Sequence, residues 1–156
     1  MTQLDSIRIR PITPADIPAL TRFMRDTTMA SFAPFLGEEA VSTYLDSGNA
    51  DRYLEARIDS GWALFDRDVL AGLALTEDMQ IGQLMIDHRR HRRGLGTRLL
   101  AHVEQQLFAT HALLELQSFE ANTVANAFYR AQGWQEAERR LDAETGIPMI
   151  VFRKGR

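Results

Sequence analysis

The segment His91-Arg92-Arg93-Gly94-Leu95-Gly96-Thr97 decides the fold, because it turns the strand-like run of residues 80–86 into a helical pattern that begins near Leu95. Glycine has no Cβ atom, so these two glycines would let a ligand come close to the backbone. Successive N–H groups and the start of the helix can then point at one anion. The turn therefore predicts a binding site for a phosphate or pyrophosphate group.

The turn taken alone has a second interpretation, as a tight strand-to-helix connection in which two glycines have no role in binding. It lacks the lysine of a P-loop and the third glycine of a dinucleotide-binding turn. The residues before it favour an anion, because His88-Arg-Arg-His-Arg-Arg93 places four guanidinium groups beside the turn. A nucleic-acid-binding patch is the competing interpretation of this cluster, but the chain has a net charge of −3 and carries no nucleic-acid-binding signature. We therefore expect no nucleic-acid partner.

Downstream of the turn, apolar residues recur at helical spacing from Leu95 to Leu107. The predicted elements that follow are a strand, a helix and two closing strands, at residues 113–119, 123–132, 135–141 and 149–153. Upstream, Asp66-Arg67-Asp68 separates two apolar runs and predicts a hairpin. The elements predicted before the hairpin are a strand at residues 7–11, a helix at 14–26, a loop with apolar side chains at 27–36, and a helix at 38–46 with a further turn or two before residue 60.

These elements predict one domain of class α/β (α+β), covering residues 1–156. We expect a mixed, mostly antiparallel twisted sheet of about six to seven strands, with about four helices on its faces. One strand-helix-strand crossover spans residues 80–119 and places its helix on one face of the sheet. A chain of 156 residues suits a single core, and no repeat or linker indicates a second domain.

The composition excludes several kinds of site. The chain has no cysteine, which excludes disulfides, thiolate metal sites and a cysteine nucleophile. It has neither a run of eighteen apolar residues nor a secretory signal, so we expect a cytoplasmic protein without a membrane partner. Residues 1–87 carry seven basic and fourteen acidic side chains (−7), against eleven and seven (+4) in residues 88–156. This asymmetry suits an anionic cofactor and a cationic acceptor, and equally a solvated surface of uneven charge.

A second informative segment is Asn122-Thr-Val-Ala-Asn-Ala-Phe128-Tyr129-Arg-Ala-Gln-Gly133-Trp134. Asn122 can cap the start of a helix, and Gly133 can take the left-handed conformation that ends it. Tyr129 has two interpretations, as a core residue or as a functional hydroxyl.

Together the two segments resemble the signature of the GNAT superfamily of N-acetyltransferases. That signature is a Gln/Arg-x-x-Gly-x-Gly turn followed, after a helix and a strand, by Asn-x-x-Ala-x-x-Phe-Tyr-x-x-x-Gly-Phe/Trp. Residues 91–96 and 122–134 match it, and the order of elements agrees from about Ile7 to Arg153. His91 stands where Gln or Arg is usual, which puts a titratable group beside the phosphate site. The resemblance implies acetyl-CoA as cosubstrate and no metal.

The resemblance also implies three groups of cofactor contacts. Strand backbone would pair with the pantetheine arm, the glycine turn would hold the pyrophosphate, and the second segment would reach the thioester end. The residues implied are Leu84, Met85 and Ile86 for the arm; His91, Arg92, Arg93, Gly94, Leu95, Gly96 and Thr97 for the pyrophosphate; and Asn122, Phe128 and Tyr129 for the thioester end. Ordinary core packing of Leu84 and Ile86 is compatible with this, because pairing uses the backbone.

The implied chemistry is direct attack of a neutral amine on the thioester in a ternary complex. Tyr129 would act as general acid toward the departing thiolate. The amine must first lose a proton, yet the strand at residues 80–86 has no carboxylate. Glu77, Asp78 and Glu120 are the candidate bases, and each is also explained as a solvated surface acid.

The acceptor is expected to contact residues 27–36 and the helix after them, where Phe32, Phe35 and Tyr44 would line the wall or fill the core beneath it. The first hypothesis for function is an N-acetyltransferase for a primary amine of a small molecule, amino acid or peptide. Its rival is a non-catalytic acyl-CoA-binding regulatory module, against which the presence of Tyr129 argues. The sequence names no acceptor and leaves a homodimer open.

Overall fold

The computed structural model describes residues 6–156, and the first five residues of the predicted domain lie outside this range. The described chain forms a seven-stranded sheet with five α-helices, which confirms the predicted fold class. The elements are β1 (Ile7–Pro11), α1 (Ile17–Leu36), α2 (Glu38–Asp46), α3 (Asn49–Ala56), β2 (Gly61–Asp66), β3 (Val69–Glu77), β4 (Gln80–Ile86), α4 (Leu95–Phe108), β5 (Leu113–Phe119), α5 (Thr123–Ala131), β6 (Gln135–Leu141) and β7 (Pro148–Gly155).

The sheet has the strand order β1-β2-β3-β4-β5-β7-β6, and every neighbouring pair is antiparallel except β4 and β5. These two parallel strands pair only through Gln80 with Glu115 and Ile81 with Leu116. Beyond those pairs the strands splay apart, so that Gln83 to Ile86 of β4 pair with β3 but not with β5. The middle of the sheet is therefore open on one side of β4.

Helices cover both faces of the sheet. Side chains of β2 and β3 alternate between the two cores, as the period of a strand requires: Ala63 and Leu73 point to one face, Leu64 and Ala74 to the other. The helices α1, α2 and α3 bury Leu20, Met24, Val41, Leu45 and Leu54 on the first face. Helix α4 buries Leu95, Leu99, Leu100, Val103 and Leu107 on the second.

The predicted loop at residues 27–36 is wrong, because α1 continues without a break to Leu36. Buried Thr27 and Thr28 interrupt the apolar periodicity that would have indicated a helix. Pro34 lies in the last turn, where its missing N–H removes one backbone hydrogen bond. The ring of Phe32 packs against that of Phe119 at the end of β5, with ring centroids 5.2 Å apart. A contact distant in sequence thus supports this part of the helix.

The region after α2 also differs from the sequence prediction. Gly48, with φ of +80°, ends α2 and starts α3 as a separate helix rather than a further turn or two of α2. The predicted hairpin is confirmed, with Arg67 and Asp68 both at positive φ in its two-residue turn. No helix within residues 6–156 has both the length and the apolar character needed to cross a membrane.

Candidate active site

The glycine turn has the backbone geometry of an anion site. Arg92 and Gly94 adopt positive φ (65° and 77°) on either side of Arg93, whose φ is negative, so that successive N–H groups converge. Gly94 is the N-cap of α4, and the first helical hydrogen bond runs from Arg98 N–H to Gly94 O at 3.1 Å. Within the described chain, the N–H groups of residues 92–97 have no acceptor. They are free to bind phosphate oxygens at a helix N-terminus.

The arginines beside the turn are not equivalent. Three of the four form ion pairs within the chain, namely Arg89 with Asp87, and Arg90 and Arg93 with Asp66. Arg92 is exposed and has no ion-pair partner among residues 6–156. The guanidinium group of Arg92 therefore remains available to a bound anion. The other three arginines form ion pairs that stabilise the conformation of this segment.

The side chain of His91 links the glycine turn to β4 through a hydrogen bond. Its Nε2 atom lies 3.0 Å from the backbone oxygen of Ile86, the last residue of the strand. A carbonyl oxygen can only accept, so Nε2 carries the proton of this hydrogen bond. The residue that departs from the family pattern thus has a structural contact of its own.

The free edge of β4 begins at a β-bulge. Leu75 pairs with Gln83 and Thr76 with Ile81, which leaves Gly82 as the extra residue. A Cβ atom at Gly82 would lie 1.7 Å from the hydroxyl oxygen of Tyr53, so only glycine fits beneath this side chain. Sequence analysis missed both residues, although a glycine inside a strand pattern is a signal for a bulge.

The splayed strands open into a cleft of about 880 Å³. Strands β4 and β5, helices α1, α2, α3 and α5, and the loop between β6 and β7 all contribute to its lining. The cleft brings together six residues singled out from the sequence: Phe32, Phe35, Tyr44, Leu84, Asn122 and Tyr129. Met85 packs into the core on the side of α1, while Leu84 and Ile86 pack on the side of α4. Their backbone lies along the unpaired edge.

Tyr129 is held in the wall of this cleft with only 9% of its surface exposed. Its ring packs against Phe152, with centroids 5.8 Å apart, and against Phe128 at 5.5 Å. No group among residues 6–156 hydrogen-bonds its hydroxyl, and burial raises the pKa of Tyr129 to about 12. The phenol is therefore protonated at neutral pH and available as a donor to a bound molecule.

Two asparagines position α5, the helix that carries Tyr129. Asn122 caps it as predicted, accepting a hydrogen bond from Ala125 N–H at 3.3 Å. Asn126, which sequence analysis did not single out, is buried and donates from Nδ2 to the backbone oxygens of Phe119 and Glu120, each at 3.1 Å. This side chain ties the start of α5 to the end of β5.

Phe128 lies at the glycine turn rather than in the lining of the cleft. A Cβ atom at Gly96 would lie 3.4 Å from Cζ of Phe128. The ring therefore packs α5 closely against the first turn of α4, and it supports the turn from the side of the second motif.

The three predicted bases do not reach the cleft. Glu77 pairs with Arg57 at 2.8 Å and Glu120 with Arg139 at 3.1 Å, both on the surface. Asp78 is exposed in the turn between β3 and β4. The carboxylates that do line the cleft are Glu115, Asp142 and Glu144. An acid within the apolar run of β5 was the one signal that could have indicated Glu115.

No group of three or more His, Asp or Glu side chains suited to a metal ion occurs in the described range. The model of the acetyltransferase (GNAT) domain family matches residues 25–155. No significant match exists among curated proteins.

Solved structures share the fold at low sequence identity. The PaiA N-acetyltransferase of Thermoplasma acidophilum, in complex with coenzyme A, has a TM-score of 0.81 and 17% identity over 97% of this chain and 99% of its own. A GCN5-related N-acetyltransferase of Rhodopseudomonas palustris has a TM-score of 0.82 and 17% identity over 100% and 99%. YncA of Salmonella typhimurium, with acetyl-CoA, has a TM-score of 0.68 and 13% identity over 96% and 94%.

Proposed function

Because the chain belongs to the GNAT acetyltransferase family, we propose that it transfers the acetyl group of acetyl-CoA to a primary amine of a small molecule, amino acid or peptide. Three features carry this proposal, and together they define a path for the cofactor. They are the free N–H groups of residues 92–97, the edge of β4 that does not pair with β5, and Tyr129 in the wall of the cleft.

The path fits acetyl-CoA at each step. The turn offers N–H groups and the side chain of Arg92 to the pyrophosphate. The unpaired residues Gly82 to Ile86 offer backbone hydrogen bonds to the amides of the pantetheine arm, in the way that a peptide adds to a sheet edge. PaiA and YncA, which share the fold, have coenzyme A and acetyl-CoA bound. With these contacts, the thioester of a bound acetyl-CoA would lie in the cleft.

Bound acetyl-CoA would supply a thioester carbonyl, whose C–S bond breaks as the amine nitrogen bonds to the carbonyl carbon. Tyr129 donates its hydroxyl hydrogen to the departing sulfur as a hydrogen bond, and the sulfur ends as the CoA thiol or thiolate. None of the predicted bases lines the cleft and Glu115 is held by Arg153 at 2.9 Å, so water in the cleft or one of the loop acids Asp142 and Glu144 would accept the ammonium proton. Holding both reactants in one cleft supplies a large part of the rate.

Two measurements test the proposal. Calorimetry and thermal denaturation with acetyl-CoA should show binding and a raised Tm, because a ligand of the folded state stabilises it, while adenosine should do far less. Release of CoA thiol should then follow addition of members of an amine panel. Absence of both binding and a Tm shift would refute the cofactor assignment. Binding without turnover on any amine would favour the non-catalytic module.

A further inference from the structure

The charged residues that line the cleft all have one sign. Glu115, Asp142 and Glu144 contribute carboxylates, and no lysine, arginine or histidine of the described chain is part of the lining. The glycine turn, by contrast, is rich in arginine. The phosphates of acetyl-CoA would therefore meet a positive environment at the turn, whereas the acceptor would meet a negative one in the cleft. The cleft thus favours a cationic molecule.

The three carboxylates differ in how far the protein neutralises them. Glu115 is buried and accepts hydrogen bonds from Arg153 at 2.9 Å and from Gln80 at 3.1 Å. Asp142 and Glu144, in the loop between β6 and β7, form no ion pair within residues 6–156. The negative charge that lacks a counterion in the cleft is therefore in this loop.

The carboxylate of Asp142 is fixed in its ionised form. It accepts hydrogen bonds from the backbone N–H and the hydroxyl of Thr145, at 2.9 and 2.7 Å, which hold the pKa of Asp142 below its usual range. Arg140 lies near enough to lower that pKa further, but its guanidinium is paired with Glu138 at 3.4 Å. Asp142 is thus an ionised group with its remaining coordination open to a ligand.

Glu144 and Tyr44 both line the cleft. Burial raises the pKa of Tyr44, and the charge of Glu144 raises it further. The same cleft holds the packed rings of Phe32, Phe35 and Phe119, whose centroids lie 5.2 to 5.8 Å apart. Aromatic faces attract cations, which adds to the effect of the acids.

A second feature, independent of the acids, points to a ligand in this cleft. Tyr129 is nine-tenths buried and lines the cleft, and its hydroxyl has no hydrogen-bond partner among the described residues. A buried polar group of this kind requires a partner that the chain does not supply. The reacting amine would lie beside this hydroxyl, and a second positive charge on the same molecule could pair with the acids of the loop.

We propose that the acceptor is an aliphatic diamine or longer polyamine, in which one amine is acetylated beside Tyr129 and a second, still protonated, binds Asp142 and Glu144. This inference rests on the proposed function. It disfavours amino acids, whose carboxylate would meet the like charges of the loop.

The test compares two acceptors that differ in one amino group: n-butylamine and the diamine that carries an amino group at each end of the same carbon chain. With saturating acetyl-CoA, kcat/KM should be at least about 5-fold higher for the diamine, as expected for one ion pair of roughly 1 kcal/mol. Glu144→Gln should reduce this preference by about 5-fold at unchanged acetyl-CoA affinity, and Asp142→Asn should act in the same direction.

Glu55→Gln is the matched control, because it removes one exposed carboxylate on α3 outside the cleft and should leave the preference intact. Equal kcat/KM for the two acceptors, or a preference that survives Glu144→Gln, would overturn this inference while the proposed function stands. No turnover on either amine, or on a wider panel, in a protein that binds acetyl-CoA would overturn the proposed function itself.

Discussion

Replacing Tyr129 by phenylalanine tests whether its hydroxyl acts on the leaving sulfur. The substitution keeps the ring, so its packing on Phe128 and Phe152 is preserved. It removes a hydroxyl that has no hydrogen-bond partner in the described chain, so stability and acetyl-CoA affinity should change little. Turnover, in contrast, should fall.

The expected size of the loss follows from burial. With the pKa of Tyr129 at about 12 and that of a thiol at about 8.5, complete proton transfer to the thiolate is uphill by about 5 kcal/mol. The hydroxyl therefore stabilises the thiolate by hydrogen bonding rather than by full transfer. A hydrogen bond to a charged group contributes about 1.5–3 kcal/mol, which corresponds to a loss of roughly 10- to 150-fold in turnover.

The assay is release of CoA thiol in single-turnover experiments, so that the chemical step and not product release is observed. Calorimetry on the same preparation gives the acetyl-CoA affinity, and thermal denaturation confirms folding. A single-turnover rate equal to that of the wild type would remove the hydroxyl from the mechanism and leave Tyr129 as a core residue.

Three further predictions concern the turn, α5 and the first helix. Gly96→Val should weaken acetyl-CoA binding by at least about tenfold and cost about 1–3 kcal/mol of stability, because the methyl groups of valine would press on Phe128. Titration calorimetry measures the affinity and urea denaturation the stability. Unchanged affinity in a folded variant would contradict the phosphate assignment. Asn126→Ala should cost about 1–3 kcal/mol and lower turnover, because it removes two hydrogen bonds to the backbone oxygens of Phe119 and Glu120 and so frees the start of α5; unchanged stability would refute this role. Hydrogen bonds from Arg10 and Thr13 hold the pKa of Asp16 well below its usual range. Ionised Asp16 therefore contributes its full stabilisation of the folded protein above the unfolded-state pKa of about 3.9, and this contribution is lost as pH falls through the folded-state pKa. Asp16→Asn should therefore lower the free energy of unfolding by about 1 kcal/mol at neutral pH and by less in acid; a difference that is independent of pH would count against the ion pair.

Local chemistry made the sheet and the glycine turn predictable. The strands other than β6 alternate or run apolar over a few residues, and Arg67-Asp68 and Gly94 occupy backbone conformations that turns and caps require. The C-terminal half of α1 could not be predicted in this way. Its support comes from Phe119, which is far away in the chain, and its buried threonines hide the apolar face.

The cofactor side of the site was more predictable than the acceptor side, because its signal is local in the sequence. Phosphate binding uses consecutive N–H groups, so one short segment carries the signal. The acceptor cleft is assembled from side chains of distant elements, and Glu115 and Glu144 enter it only through the tertiary fold. The candidate bases Glu77, Asp78 and Glu120 lie outside the lining of the cleft, and the bulge at Gly82 depends on Tyr53 from α3.

The two-pair junction of β4 with β5 also bears on how the molecule opens and closes. The sheet consists of two halves, β1 to β4 and β5 to β7, which are joined by two residue pairs between β4 and β5 and by the apolar packing of α4. In the free protein we expect these halves to exchange amide hydrogens as distinct cooperative units. A cofactor lying along residues 82–86 would bridge them, so that protection should rise in both halves together. The bound molecule would then act as an additional strand, and the complex should unfold as one unit where the free protein unfolds as two.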